Sequence, residues 1–563
     1  MFNREVSIVL SGEAGQGLNT IESLFMSLLQ KSGYNAFMSK EFMSRVRGGN
    51  NTTEIRVSSE KVFSFADRID ILIVLSSGAI SRLEKRLSSE TVIIGEMKNV
   101  PSECAEICKA VYAVEIEKSI SDLGGSIYAN NLVNGILSGL FSCDHDAGLS
   151  LIRSIFLSKG EDTVSKNITA YQRGIEISKQ IPVKIDIKKD PGVQSMKVLS
   201  GTESIGIGAI AGGCDFIASY PMSPSTGVLA YMAKQSMKFG IAVEQAEDEI
   251  AAINMMLGAW YAGARGMVTT SGGGFALMTE GMSLAGCIES PAVINLAQRP
   301  GPATGLPTRT EQGDLNLALY AGHGDFPRII YAPGSLDDGI TLASKAFDVA
   351  DKFQVPVVLL TDQYFLDSVG MIEKRDFSGI EIKKHTVETG KEYKRYAITP
   401  SGISPRGIPG SGSGFVCVDS DEHSEGGRIT EDFDVRIAMS DKRMRKLDSY
   451  EDIEPEIIGA SDYSVLVAGW GSTCGAIREA ILKINRSDIA FAYFKQVYPV
   501  PKSTKDILSK AKIRILVENN YAGQFGNLLK METMTDFDHR ILKYNGMPFS
   551  VEELEKKILE ALS

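Results

Sequence analysis

The sequence predicts an α/β protein built from three doubly wound α/β domains, with a linker and a connector between them. Three observations carry this expectation. Short apolar strands repeatedly run into glycine-rich turns that open helices, at residues 11–17, 271–274 and 469–473. Residues 354–361 (QVPVVLLT) form a continuous apolar run, as a parallel strand covered on both faces would. The intervening helices carry an apolar stripe at i, i+3, i+4, i+7, as in Leu18, Ile21, Phe25, Leu28 and Leu29. At 563 residues the chain has room for about three to five domains.

Composition removes several function classes. Hydrophobic content of 43% with 23% charged residues is ordinary for a globular protein. A net charge of −11 argues against a nucleic-acid or anionic-membrane surface. No apolar run reaches the roughly 18 residues that a membrane span needs. The N-terminus passes straight from a short strand to a glycine turn, without the basic region and cleavage site of a signal peptide, so the expected location is cytoplasmic. Of seven cysteines only Cys104 and Cys108 lie close together, one helical turn apart, and the five histidines are scattered. No iron–sulfur run and no zinc pattern is present, so no metal site is expected on this chain.

Taken in order, the first domain spans 1–185. Strands are expected at 5–10, 71–75 and 92–94. The turn Ser11-Gly-Glu-Ala-Gly-Gln-Gly17 spaces its glycines as G-x-x-G-x-G, not the dinucleotide G-x-G-x-x-G. Residues 44–50 (SRVRGGN) pair Arg45 and Arg47 with Gly48 and Gly49, and Arg56 follows on the next strand. Arginine forks beside bare backbone N–H groups suit a phosphate, and a solvated basic loop is the competing reading. Residues 182–196, polar and interrupted by prolines, read as a linker. The second domain spans 196–384 and contains the turn Tyr220-Pro-Met-Ser-Pro-Ser-Thr226, whose prolines would hold the Ser223, Ser225 and Thr226 hydroxyls at fixed angles. Residues 385–458, including His423 and the basic segment 436–447, read as a solvated connector. The last domain, 459–563, is again α/β, and its glycine turn reads as structural.

The chain is organised around residues 243–302. An acidic cluster (Glu244, Glu247, Asp248, Glu249) opens a small-residue helix. A strand at 266–270 then runs into Ser271-Gly-Gly-Gly274, where exposed backbone N–H groups can lie against a ligand. A second strand ends at Gln298-Arg299-Pro300. Ligands in open α/β sheets bind at such C-terminal strand ends.

These residues, with the Tyr-Pro motif before them, resemble the α subunit of 2-oxoacid:ferredoxin oxidoreductases, which are thiamine-diphosphate enzymes. The resemblance covers nearly the whole chain, including a fused N-terminal γ-type domain. It implies a γ-type domain, a thiamine-diphosphate pyrimidine-binding domain and a transketolase C-terminal-like domain, in that order. In such enzymes a buried glutamate is hydrogen-bonded to the aminopyrimidine ring, precedes an Ala-Ala pair and lies nine residues before a glycine. Ala251-Ala252 and Gly258 match that pattern for Glu249, with Glu247 the alternative. The resemblance also places Ser271, Gly272 and Gly273 at the cofactor, and Ser223, Arg299 and Thr308 at the 2-oxoacid. The family usually has threonine where Ser223 stands. The basic loop (Arg45, Arg47, Gly48, Gly49, Arg56) would contribute to coenzyme A binding.

The family's Gly-Asp-Gly motif for Mg²⁺ and diphosphate is missing, since residues 313–315 (GDL) and 324–326 (GDF) fail at the third position. Thiamine diphosphate would then be shared with a separate β subunit that carries Mg²⁺ and the iron–sulfur cluster, in a dimer of αβ units. The implied reaction is oxidative decarboxylation of a 2-oxoacid with coenzyme A, with ferredoxin as acceptor. 2-Oxoglutarate is favoured over pyruvate or a branched-chain 2-oxoacid. A non-catalytic nucleotide-binding or assembly protein is the alternative. It would not need Glu249, Arg299 and Thr308 together.

Overall fold

The computed structural model describes residues 2–13, 17–43 and 49–563, which form two compact units. The first unit holds an eight-stranded sheet. Four of its strands, Glu5–Glu13, Ile71–Val74, Val92–Gly95 and Ala110–Ala113, run parallel in the expected α/β manner. The other half is antiparallel. Asn35–Glu41 and Asn50–Ser58 pair with each other, and the latter also pairs with Glu5–Glu13. Their short connection explains this, because a parallel pair needs a crossover of a dozen residues or more. The helix Leu18–Lys31 buries Leu18, Ile21, Phe25, Leu28 and Leu29, the stripe read from the sequence.

Two strands that the sequence places in the second domain complete this first sheet. Val369–Ile372 pairs with both Asn35–Glu41 and Lys197–Ser200. The linker is likewise not free chain. Val193 is buried, and the Gln30 side-chain amide donates to its carbonyl at 3.1 Å.

The second unit contains a seven-stranded sheet and a five-stranded sheet. In the larger one, Ile329–Tyr331, Pro356–Asp362, Ala292–Gln298, Gly266–Thr270, Phe216–Ser219 and Ala242–Gln245 are neighbours in that order, all parallel. Gln496–Tyr498 adds an antiparallel edge. After the edge strand Ala242–Gln245, the chain crosses back over Phe216–Ser219 to form Gly266–Thr270. That reversal opens a crevice at the C-terminal ends of these two strands, the place where open α/β sheets take ligands. The five-stranded sheet is built on Val465–Trp470, Ile489–Phe494 and Ile513–Glu518.

The segment 385–458 is only in part the solvated connector expected from its charges: many are exposed, but several are buried in pairs. Lys442 and Lys446 each reach the Glu289 carboxylate at 2.6 Å, and all three side chains are buried. Arg406 joins Arg265 on buried Asp351, with Arg265 at 2.9 Å. The His423 ring is buried 3.9 Å from the Tyr396 ring centroid, and its Nδ1 lies 2.8 Å from the Asp421 carbonyl. The sequence shows the charges but not that they face charges as far as 153 residues away. No helix among the described residues is long and apolar enough to cross a membrane.

Candidate active site

The crevice brings together the three segments that the sequence singled out. Phe216–Ser219 delivers the Tyr-Pro turn, Gly266–Thr270 delivers Ser271 and the glycines, and Ala292–Gln298 delivers Arg299. The Ser271 hydroxyl lies against the Met222 sulfur, so the first two turns touch. Beneath them a polar ladder locks the strands. The Asn295 amide donates to Thr269 Oγ1 at 3.0 Å and accepts from Thr361 Oγ1 at 3.0 Å.

Glu249 begins the helix Glu249–Tyr261. Asp248 caps it, accepting from the Ala251 N–H at 2.7 Å. Of the four acids in the cluster only Glu249 is buried, at 3% exposure, while Glu244, Glu247 and Asp248 are exposed. Its Oε1 is buried without a hydrogen-bond partner. An oxygen in that condition costs about 1–3 kcal/mol unless a ligand supplies a donor. Oε1 faces Gly274, where an added Cβ would lie 2.4 Å from it and 2.2 Å from Thr270 Oγ1. Gly274, absent from the sequence-based site, is therefore small because the acid needs the space.

The glycines form the first turn of the helix Gly272–Leu277, with Ser271 extended at its N-cap. Its first intrahelical bond runs from the Phe275 N–H to the Ser271 carbonyl at 2.8 Å. The N–H groups of Gly272, Gly273 and Gly274 precede that bond and lie outside the helical ladder. A Cβ on Gly273 would meet nothing within 4 Å. This open turn, beside a buried carboxylate with a free oxygen, fits the aminopyrimidine end of thiamine diphosphate.

Arg299 is half-buried and donates from Nη1 to the Ser223 carbonyl at 2.7 Å. Burial disfavours its charge, and Asp314 opposes that effect. The Ser223 side chain is exposed at the crevice, whereas Ser225 is buried with its hydroxyl on the Met222 carbonyl at 2.7 Å. Ser225 is thus a structural residue, not one of the presented hydroxyls. Thr308 is half-buried in the loop after Arg299. That loop is pinned by Leu306 N–H to the Pro300 carbonyl and Thr310 N–H to the Gly546 carbonyl, both 3.1 Å. Sequence reasoning missed Asp314 and Glu311, which complete this wall. In the sequence Asp314 reads only as part of a failed metal motif, Gly313-Asp314-Leu315.

The coenzyme A reading fares differently. Arg45, Arg47 and Gly48 lie outside the described residues. Gly49 has φ 89°, a left-handed conformation that favours glycine. Arg56 does not serve a phosphate. It is 1% exposed, with Nη2 and Nε on the Glu5 carboxylate at 2.9 and 3.2 Å and Nη1 on the Ser64 carbonyl at 2.5 Å. Its fork is committed inside the sheet, and the strand pattern gave no sign of this because both faces of that strand are buried.

Fold and site define an α/β enzyme subunit that offers a buried acid, a glycine turn and an arginine at one switch-point crevice. Residues 207–442 match the family described as pyruvate flavodoxin/ferredoxin oxidoreductase, thiamine diphosphate-binding, and residues 7–177 match pyruvate ferredoxin/flavodoxin oxidoreductase. The chain is 31% identical to the 2-oxoacid:ferredoxin oxidoreductase subunit alpha of Sulfolobus sp, over 99% of this chain and 97% of that protein. It is 26% identical to the 2-oxoglutarate oxidoreductase subunit KorA of Mycobacterium tuberculosis, over 99% and 92%. The solved 2-oxoglutarate:ferredoxin oxidoreductase from Magnetococcus marinus, with 2-oxoglutarate, coenzyme A and succinyl-CoA bound, superposes with a TM-score of 0.93 at 29% identity, covering 100% of both chains. The chain belongs to the 2-oxoacid:ferredoxin oxidoreductase α subunits.

Proposed function

We propose that this chain, with a β subunit, converts a 2-oxoacid and coenzyme A to an acyl-CoA and CO₂, passing two electrons to ferredoxin. 2-Oxoglutarate is the favoured substrate, and pyruvate or a branched-chain 2-oxoacid the alternative. The observation that carries the reading is the Glu249 carboxylate, buried with a free oxygen in the crevice that also holds Arg299. Thiamine diphosphate, when bound, supplies the carbanion chemistry of decarboxylation. Glu249 would hold the aminopyrimidine through Oε1 and move a proton there, and the Ser271–Gly273 turn would receive the ring. Arg299 binds the substrate carboxylate, with Ser223 and Thr308 as hydroxyl partners.

Mg²⁺, the diphosphate and the iron–sulfur cluster are assigned to the β subunit. Supporting this, the helix Glu249–Tyr261 leaves Ile250, Met255 and Tyr261 exposed, with open space at Gly258. Such an apolar face beside half a cofactor site is suited to a partner. The complex is proposed as a cytoplasmic dimer of αβ units. Purified alone, the chain is expected to be colourless and inactive, and absorbance and iron analysis check this. Iron-containing brown protein or turnover by the chain alone would contradict it.

The substrate assignment is tested at Arg299. A planar guanidinium binds a carboxylate through paired hydrogen bonds, which an ammonium cannot reproduce. Arg299→Ala should lower kcat/KM for the 2-oxoacid by about 1.5–3 kcal/mol, the worth of a charged hydrogen bond. Arg299→Lys should also weaken 2-oxoacid use despite the retained charge. The KM for coenzyme A should barely move. Equal losses for both substrates, with a lower melting temperature, would identify Arg299 as scaffold.

A further inference from the structure

We propose that Asp314 takes up a proton when the 2-oxoacid carboxylate binds Arg299, so that substrate binding is coupled to protonation of this chain. The inference rests on the assignment of Arg299 to that carboxylate.

Asp314 is fixed beside the end of the strand that bears Arg299, because its backbone N–H donates to Gln298 Oε1 at 3.0 Å. Its carboxyl packs directly on the glycine turn. A Cβ on Gly272 would lie 2.4 Å from Oδ2 and 2.5 Å from Oδ1, which explains glycine there. Oδ2 is buried and accepts no hydrogen bond. The charged groups around it are few. Arg299 faces it from the strand end and Glu311 from its own loop, while Glu249 lies farther along the turn against Gly274. The loop 519–524 brings only neutral groups. Asn520 donates to the Gln312 carbonyl at 3.0 Å, and Gln524 to that of Gly313 at 2.8 Å.

Arg299 therefore already serves Asp314, and Asp314 in turn faces Glu311. Burial lifts Asp314 to about 6 against the pull of Arg299. Burial, and then the charge of Asp314, lift Glu311 to about 7. A substrate carboxylate on Arg299 adds another negative charge to the same half-buried wall. Like charges sharing one half-buried wall disfavour one another's ionised forms. Asp314 is the acid that responds, because Arg299 opposes the effect of burial on it and its Oδ2 has no other donor to hold it ionised. The proton comes from solvent with the substrate. It returns to solvent when the carboxylate group departs as CO₂, so the balance over both steps is zero.

The test uses the assembled complex with 2-oxoglutarate, assayed from about pH 5.5 to 8.5. Above about pH 6, kcat/KM for the 2-oxoacid should fall toward about tenfold per pH unit, and Asp314→Asn should flatten that fall. The KM for coenzyme A should keep the same pH dependence in both proteins. A second measurement does not depend on turnover. Calorimetric binding of 2-oxoglutarate to the thiamine-stripped wild-type complex, in two buffers of different ionisation heat, should show uptake of roughly one proton at about pH 7.5. Heat independent of buffer, or Asp314→Asn with the wild-type slope, would overturn the proposal. If Arg299→Lys leaves 2-oxoacid use intact, the assignment of Arg299 fails and this inference falls with it. If Arg299→Lys weakens that use while Asp314→Asn keeps the slope, only the proton coupling is overturned.

Discussion

Replacing Glu249 by glutamine lowers turnover of the assembled enzyme by about 10²–10⁴, the span expected when a proton-transfer group is lost. The amide is nearly isosteric, and Oε1 has no internal partner to lose, so folding and assembly survive. The contrast lies two residues earlier. Glu247 is exposed outside the helix, so Glu247→Gln should leave turnover near normal. Steady-state ferredoxin reduction by both variants, with circular dichroism as the control for fold, decides between them. Near-normal Glu249→Gln with an inactive Glu247→Gln would move the acid to Glu247.

The second large effect is on stability. Glu289 is fully buried between Lys442 and Lys446. Burial pushes its carboxyl up, but Lys446, Lys442 and Arg395 outweigh that and hold it down at about 2. Burial pushes Lys446 down to about 7, against the attraction of Glu289. Glu289→Gln leaves two buried ammonium groups without their counter-charge, which should cost about 3–5 kcal/mol. Replacing Glu289, Lys442 and Lys446 together by apolar residues of similar volume should recover most of that loss, because no unpaired charge then remains. Urea unfolding of the single and triple variants checks both statements. An unchanged midpoint for Glu289→Gln would show that the cluster does not hold the segment 385–458 in place.

How much of this was legible in the sequence depends on the range of the interaction. Strands such as Gly266–Thr270 and Ala292–Gln298 are short, mostly apolar runs bounded by glycine or proline, so local pattern suffices. Glu249 was separable from its acidic neighbours only through the family pattern, and the structure adds its burial and its free oxygen as independent grounds. The pairs Glu289–Lys442 and Asp351–Arg406 were illegible, because their members stand 153 and 55 residues apart and each alone reads as a surface charge. Arg56 misled for the same reason, since its partner Glu5 sits 51 residues earlier on a neighbouring strand. Asp314 gave no signal either, because its meaning comes from Gly272 and Arg299 on other strand ends.

The central claim is that this chain supplies the acid and the substrate arginine of a thiamine-dependent 2-oxoacid oxidoreductase. Its most direct test is ferredoxin reduction by the complex purified through this chain, across a panel of 2-oxoacids. The assays are run with and without coenzyme A and thiamine diphosphate. Reduction should require a 2-oxoacid, coenzyme A and thiamine diphosphate together, with the highest kcat/KM for 2-oxoglutarate. Reduction that persists without thiamine diphosphate, or no reduction with any 2-oxoacid, would contradict the account.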